Sequence, residues 1–514
     1  MNPKNHLGVC IKYLLGVSLS ITIVLSASAQ QRPNWQNQDL EKDSVFGIST
    51  DKAYAGLLKN KTPHAVVVAV IDAGIDTAHE DLKSILWVNL HKVNGDNGTY
   101  GWSYIGSAKG NVRYDNLELT REVRRYQQQD TAKLPPGDLV TYRAEKVELL
   151  TKRRQAESTI VGIGNFRTIL EEITRKLGKS VPTLADFKDY QPQNDNEAYV
   201  KNVVVNALSQ NDDYAGFVRE QIAAATEHFK AQVDYQLNLA YDPRAIVGDN
   251  YADDGQRAYG SPDNNGPDPT HGTHVAGIIA ALRNNGLGIN GVADHAQVLA
   301  IRAVPEGDER DKDIANAIRY AADHGAKVIN MSFGKPLSPY KKAVDDAVAY
   351  ALKKDVLLVQ AAGNDDKDID SAGNFPNRKL ANGKEAGAWI VVGASGIKDD
   401  STLKAPFSNY GKTAVDVFAP GVQIYSTVPG SKYAYFDGTS MACPVVAGLA
   451  ALIREYYPKL TAQQVKDIIL QSVVKVNHLV LLDKKKVPFT ELCRTGGIVN
   501  AYNALELASK YTKQ

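Results

Sequence analysis

Cysteine is almost absent from this chain: there are three in 514 residues, at positions 10, 443 and 493. A fold stapled by several disulfides is thereby excluded. No cluster of histidine and cysteine has the spacing of a zinc site. An excess of either charge is also missing. Lysine and arginine number 59 against 58 aspartate and glutamate, a formal +1, which argues against a nucleic-acid partner. Long apolar runs are confined to the N-terminus. There Lys4 and Lys12 precede an apolar stretch over residues 13–25, followed by Ala27-Ser28-Ala29. The stretch is too short for a comfortable membrane span. Its flanks are those of a signal peptide at residues 1–29, removed after Ala29. Cys10 precedes the apolar stretch and so is not placed for lipid attachment. No later segment is long and apolar enough to cross a membrane. The expectation is an exported protein, extracellular or periplasmic, with Cys443 and Cys493 as its remaining thiols. Sequence alone does not decide whether those two pair.

What is present is ample apolar material, 43% of the chain, enough for a large core. The run Val66-Val67-Val68-Ala69-Val70-Ile71 is mostly β-branched and carries no charge. That is the pattern of a strand buried on both faces, and it places Asp72 at the end of a central strand. Strands are predicted at 298–304, 328–331, 356–361 and 389–394, alternating with helices at 314–322 and 340–352. Such alternation predicts an α/β fold with a parallel sheet and helices on both faces. Helices are also predicted at 461–471 and 499–510. A short one follows Thr50, which could cap it.

Three strings carry chemistry. Gly438-Thr439-Ser440-Met441-Ala442 delivers a serine into the first turn of a helix whose body is the apolar run 445–453. His271 opens His271-Gly272-Thr273-His274-Val275-Ala276-Gly277, the start of a second apolar helix, and Asp72 precedes Ala73-Gly74. A serine hydroxyl is a poor nucleophile at neutral pH. It needs a base, and the base needs a group that fixes its tautomer. Ser440, His271 and Asp72 can fill those roles, with helix-start N–H groups near the serine to stabilise an anion. Taken singly, each has a plainer explanation: an N-cap turn, a capping or core histidine, a strand-end turn. His274 and His79 lie close in sequence and are expected to be structural.

Together, in the chain order Asp, His, Ser, the strings resemble the signature segments of the subtilisin-like serine peptidases. That order is itself given for subtilisin. The resemblance covers roughly residues 44–106 and 245–508. It implies a subtilisin-like, mostly parallel sheet flanked by helices on both faces, formed by residues 30–106 and 245–514. It implies hydrolysis of peptide bonds through an acyl-enzyme, with no catalytic cofactor and polypeptides as substrates. Asn364, in Ala361-Ala362-Gly363-Asn364, matches the family's oxyanion-hole asparagine. Ser332-Phe333-Gly334 resembles an edge that pairs with extended peptide, and residues 303–307 the opposite edge. Ala361, Ala362 and Gly363 resemble the floor of a side-chain pocket with room for a large apolar group. Pairing through the main chain implies broad specificity. Asp81 matches a carboxylate of a family calcium site, completed by Asn284 and carbonyls of Leu282, Leu287 and Ile289, an oxygen set suited to structural Ca²⁺.

Two features depart from compact members. Residues 33–64 are too few for the folded propeptide that many carry. Asp72 and His271 are 199 residues apart, and 107–244 have no counterpart in the common core. Helical spacing recurs there: Leu149, Leu150, Ile160 and Val161, then Phe166, Ile169, Leu170, Ile173 and Leu177, then Val203, Val204, Ala207 and Leu208, then Phe217, Ile222, Ala223 and Phe229. A large helical insertion is predicted, serving either as stabilising decoration or as a lid. The rival functions are a binding protein on a catalytically degenerate peptidase fold, using the insertion, and a hydrolase of some other ester or amide. The oligomeric state is left open.

Overall fold

The computed structural model describes residues 32–90, 97–209 and 211–511. The expected signal peptide, with Cys10, lies outside them. The chain forms two compact units, one of residues 32–118 with 243–514, the other of residues 119–242.

The larger unit is built on a nine-stranded sheet. Its strands are β1 (Val66–Asp72), β2 (Gly101–Ser103), β3 (Ala296–Arg302), β4 (Val328–Met331), β5 (Leu357–Ala361), β6 (Trp389–Ser395), β7 (Val417–Pro420), β8 (Val474–Lys475) and β9 (Gly497–Ile498). They lie in the order β8-β9-β7-β6-β5-β4-β1-β3-β2. Every pairing is parallel except β8 with β9. The helices are α1 (Thr270–Ala280), α2 (Asp311–Asp323), α3 (Lys341–Lys353), α4 (Thr439–Tyr456), α5 (Ala462–Gln471) and α6 (Ala501–Tyr511).

Alternation along each strand sorts the helices into two layers. Val68, Val70, Val359 and Val392 face a core shared with α1, α4, α5 and α6. Ala69, Ile71, Leu358 and Val391 face a core shared with α2 and α3. A strand covered on both faces must be apolar at every position, which is why β1 reads as an unbroken run. It sits between β4 and β3, deep in the sheet, so Asp72 emerges at the carboxyl end of a central strand.

Some boundaries differ from expectation for local reasons. β3 stops at Arg302 because the next two N–H groups, of Ala303 and Val304, turn to the Asp72 carbonyl. Thr50 does not cap its helix. It is the first helical residue, its hydroxyl has no hydrogen-bond partner, and Ser49 precedes it in a left-handed conformation. Thr461 does cap α5, in a capping box with Gln464. Cys443 and Cys493 are both free and buried. Among the described residues no helix is long and apolar enough to cross a membrane.

The smaller unit is helical. A 42-residue helix, Pro136–Leu177, begins with proline in its first turn and ends at Gly178 in a left-handed conformation. Two of the predicted apolar segments, around 149–161 and 166–177, are therefore parts of one helix. Its buried Leu149, Ala156, Ile163, Leu170 and Ile173 repeat at intervals of seven and three, as a single apolar face requires. Asp195–Leu208 follows, capped by the Asn194 side chain. The last stretch, over 214–236, contains two π-wound segments, Phe217–Ala223 and Gln232–Gln236. Residues 107–118 fall with the larger unit, where Gly106–Ser107 and Gly110–Asn111 form a small antiparallel hairpin.

Candidate active site

The carboxyl ends of β1, β4 and β5 collect the groups singled out above, as open α/β sheets do. Asp72 is buried and accepts from the Ala73 N–H at 2.7 Å. His271, in the first turn of α1, brings Nδ1 to 2.8 Å from one Asp72 carboxylate oxygen and 3.0 Å from the other. Close approach of the two chains depends on Gly272: a Cβ there would strike the Gly74 carbonyl and crowd Asp72. Burial disfavours the charged imidazole, but the charge of Asp72 and its hydrogen bond outweigh this, so the His271 pKa is raised above its ordinary value. Its Nε2 has no hydrogen-bond partner among the described residues. His274, one turn on, is different. It stacks on Phe436, its Nε2 lies 3.1 Å from the Ala434 carbonyl, and burial depresses its pKa to about 3. His79 lies 3.0 Å from the Lys432 carbonyl.

Ser440 stands in the first turn of α4. Its hydroxyl donates to the Ser332 carbonyl at 3.1 Å, while the Ser332 hydroxyl donates to the Ser440 carbonyl at 2.9 Å. Asn364 is held by its oxygen, which accepts from the Thr439 N–H and the Thr439 hydroxyl, both at 2.9 Å. That orientation leaves Nδ2 without a hydrogen-bond partner among the described residues. The missing side chain of Gly438 reports where it points. A Cβ built there would lie 3.6 Å from Asn364 Nδ2 and 3.6 Å from the Ser440 nitrogen. The Met441 sulfur is equally near, so the Asn364 amide and the Ser440 N–H both lie close to Gly438, beside the serine.

The neighbouring surfaces are arranged unequally. Backbone groups of Phe333 and Gly334 have no partner among the described residues, so this edge is open. The opposite edge is partly occupied. Glu306 accepts from the Asp115 N–H at 3.0 Å and donates to the Arg113 carbonyl at 2.8 Å, and Gly307 packs against the Asp115 carbonyl. Ala361 and Ala362 are buried and Gly363 partly so. Between them and Gly334 stands Asn374. Its Nδ2 donates to the Ala362 carbonyl at 3.1 Å, and its Oδ1 sits where a Cβ on Gly334 would collide. Sequence reasoning missed Asn374. It lies ten residues past Asn364 in an irregular loop, with no pattern to single it out.

In the loop expected to hold calcium, a different amide faces Asp81. Asn285, not Asn284, reaches Asp81, its amide 2.6 Å from one carboxylate oxygen. Asn284 is exposed at φ 58°, with its N–H bound to the Asn290 side chain. Asp81 is buried and its other neighbour is the Tyr433 hydroxyl at 3.3 Å. Burial pushes its carboxyl above the usual range. A buried carboxylate whose partners are neutral suits an oxygen-bound cation. The carbonyls of Leu282, Leu287 and Ile289 belong to the same loop.

A model of the Subtilase family matches residues 64–493. The chain is 42% identical over 236 residues to a thermophilic serine proteinase of Bacillus sp. (strain AK1), covering 46% of this chain and 52% of that one. It is 45% identical over 184 residues to thermitase of Thermoactinomyces vulgaris, covering 36% and 60%. It is 40% identical over 198 residues to subtilisin BL of Lederbergia lenta, covering 38% and 67%. The matches thus span about half to two thirds of these curated relatives. With its matched segment holding eight of the nine strands and all four residues Asp72, His271, Asn364 and Ser440, the chain belongs to the Subtilase family.

Proposed function

We propose that this chain is an exported serine endopeptidase. Rotation of the Ser440 side chain away from the Ser332 carbonyl would direct its hydroxyl toward His271 Nε2. The hydroxyl attacks a peptide carbonyl as His271 takes its proton, and His271 then gives that proton to the leaving amine. Asp72 holds the imidazole in the tautomer with Nδ1–H and stabilises the cation that forms. Asn364 Nδ2 and the Ser440 N–H receive the oxyanion. Water releases the acyl group by the reverse path. The observation that carries this reading is the His271 Nδ1–Asp72 contact of 2.8 Å, with Asn364 Nδ2 and the Ser440 nitrogen both close to Gly438 beside the serine. A degenerate binding protein has no need of two unspent donors beside a serine.

Substrate would lie along Ser332–Gly334 as an added strand. The Asn374 amide makes the pocket over Ala361, Ala362 and Gly363 polar on one wall. The reading therefore favours modest or polar side chains there over the large apolar group first expected. A Ca²⁺ held by Asp81 and the carbonyls of Leu282, Leu287 and Ile289 would brace the loop after α1 and take no part in the chemistry; the Asn285 amide, whose nitrogen donates to Asp81 and whose oxygen accepts from the Leu287 N–H, would have to turn to join it. Export rests on the pattern in residues 1–29.

Digestion of a peptide library, with products read by mass spectrometry, tests the function. Internal cleavages that vanish in Ser440→Ala support it, and esterase activity without any Ser440-dependent peptide cleavage sinks it. Asn364→Ala should lower kcat by about 10²–10³ with KM little changed, a size taken from a subtilisin. A rise in KM with kcat unchanged would assign Asn364 to ground-state binding instead. Removal of residues 119–242 should alter cleavage of folded proteins more than that of short peptides. Equal effects on the two would rule out a gating role for the insertion.

A further inference from the structure

Residues 32–58 stand ahead of β1, in the place where a propeptide would be sought, yet they are built into the larger unit. Trp35, Val45, Ile48, Ala53 and Leu58 lie in the core shared with α1, α4, α5 and α6, and Phe46 lies in the core shared with α2 and α3. Trp35, Phe46 and Ile48 are each at most 1% exposed. Hydrogen bonds tie the segment to distant parts of the chain. Trp35 Nε1–H donates to the carbonyls of Val422 and Gln423, both at 3.2 Å. The Phe46 N–H donates to the Ile397 carbonyl at 2.9 Å, and the Ala501 N–H, at the start of α6, donates to the Ile48 carbonyl at 2.6 Å. The Asn37 amide donates to the Asn290 carbonyl at 2.8 Å, and the Asn290 N–H donates to the Asn34 side chain at 2.6 Å. The segment also closes on itself. The N–H groups of Ile48 and Ser49 donate to the carbonyls of Gln36 and Gln38, at 2.8 and 2.9 Å. At that crossing Gly47 passes so close that a Cβ on it would strike the carbonyls of Trp35 and Gln38.

A segment that holds an enzyme inactive must cover the reacting groups, and must leave a finished core behind when it goes. This one does neither. Among the described residues none of its hydrogen bonds reaches Ser332, Phe333, Gly334, His271, Asn364 or Ser440. Its loss would instead open holes in both cores, because the surroundings of a removed tryptophan or phenylalanine relax only in part. We propose that residues 32–58 are a permanent strap of the working peptidase, so that activity arrives with folding and requires no cut between Arg32 and β1. This rests on the peptidase reading above and concerns the regulation of that same site. Restraint of premature activity then falls to something other than this segment.

The test uses the full chain produced in an exporting host, with its reactive form tagged by a biotinylated peptidyl organophosphonate and read by intact mass and N-terminal sequencing. The expected result is a tagged chain that still contains Trp35. Ser440→Ala, which cannot cut itself, should show the same N-terminus. A tagged population whose chains all begin beyond Trp35 overturns the proposal. So does a Ser440→Ala chain that keeps residues the tagged wild type has lost between 32 and 64. Trp35→Ala gives a second reading. With the strap in place, the tagged variant melts about 5 °C or more below the tagged wild type. Had the active form discarded the strap, the two tagged proteins would be the same molecule and melt together, which also overturns the proposal. Should Trp35→Ala not fold, the wild-type mass still decides. Failure of the peptidase reading looks different: a folded chain that keeps Trp35 and takes no Ser440-dependent tag, in which case the regulation proposed for the site falls with it.

Discussion

Ser440→Ala lowers kcat by a factor on the order of 10⁶, and His271→Ala by as much. The double variant loses no more than either single one. Both magnitudes come from removing the same pair in a subtilisin; what this structure supplies is the reason to expect them here. In the proposed mechanism the hydroxyl is the bond-forming atom and the imidazole is the base it needs, so each is idle without the other. The loss is chemical and not structural. The Ser440 hydroxyl makes one hydrogen bond, to the Ser332 carbonyl, and deleting it costs folding only about 1 kcal/mol. Single-turnover kinetics on a peptide, with a melting curve on each variant, checks both halves. Additive losses in the double variant would mean that the two residues do not act as a unit.

Asp72→Asn should lower kcat by about 10⁴, a size known from another serine peptidase. The present carboxylate accepts from both the Ala73 N–H and His271 Nδ1. An amide can supply one acceptor oxygen only. With the oxygen kept on the Ala73 N–H, its NH₂ faces His271 Nδ1 and selects the tautomer protonated at Nε2, which cannot take a proton from serine. The pH profile supplies a second readout. Activity needs neutral His271, so it falls as pH drops through the raised His271 pKa. In Asp72→Asn the charge and the charged hydrogen bond are gone and burial remains. The pKa falls, and the acid limb moves to lower pH. A limb that stays in place would show that Asp72 does not face the titrating base.

The residues of the candidate site were legible in the sequence because their settings are local. Serine in a small-residue turn, histidine at a helix start and aspartate after a β-branched run each announce their own backbone setting. The two-layer fold was legible for a similar reason, since burial on both faces writes apolar residues at every position of β1. What escaped notice depends on contacts between distant segments. Asn374 matters only because its loop folds back between Ala362 and Gly334. The edge at 303–307 looked free until residues 113–115 were found along it. Lys335 reads as a surface lysine until Glu118, 217 positions away, is placed beside it. The shift from Asn284 to Asn285 has the same origin. Asn284 and Gly286, both left-handed, bend the loop so that Asn285 is the amide that faces Asp81.

The most direct measurement is reaction of the folded protein with a peptidyl organophosphonate, followed by mass mapping of the adduct. The account predicts one label per chain, on Ser440, with a rate that falls at low pH as His271 gains its proton and that collapses in His271→Ala. A folded protein that takes no label, or takes it elsewhere, would contradict the convergence of these four residues on a single carbonyl.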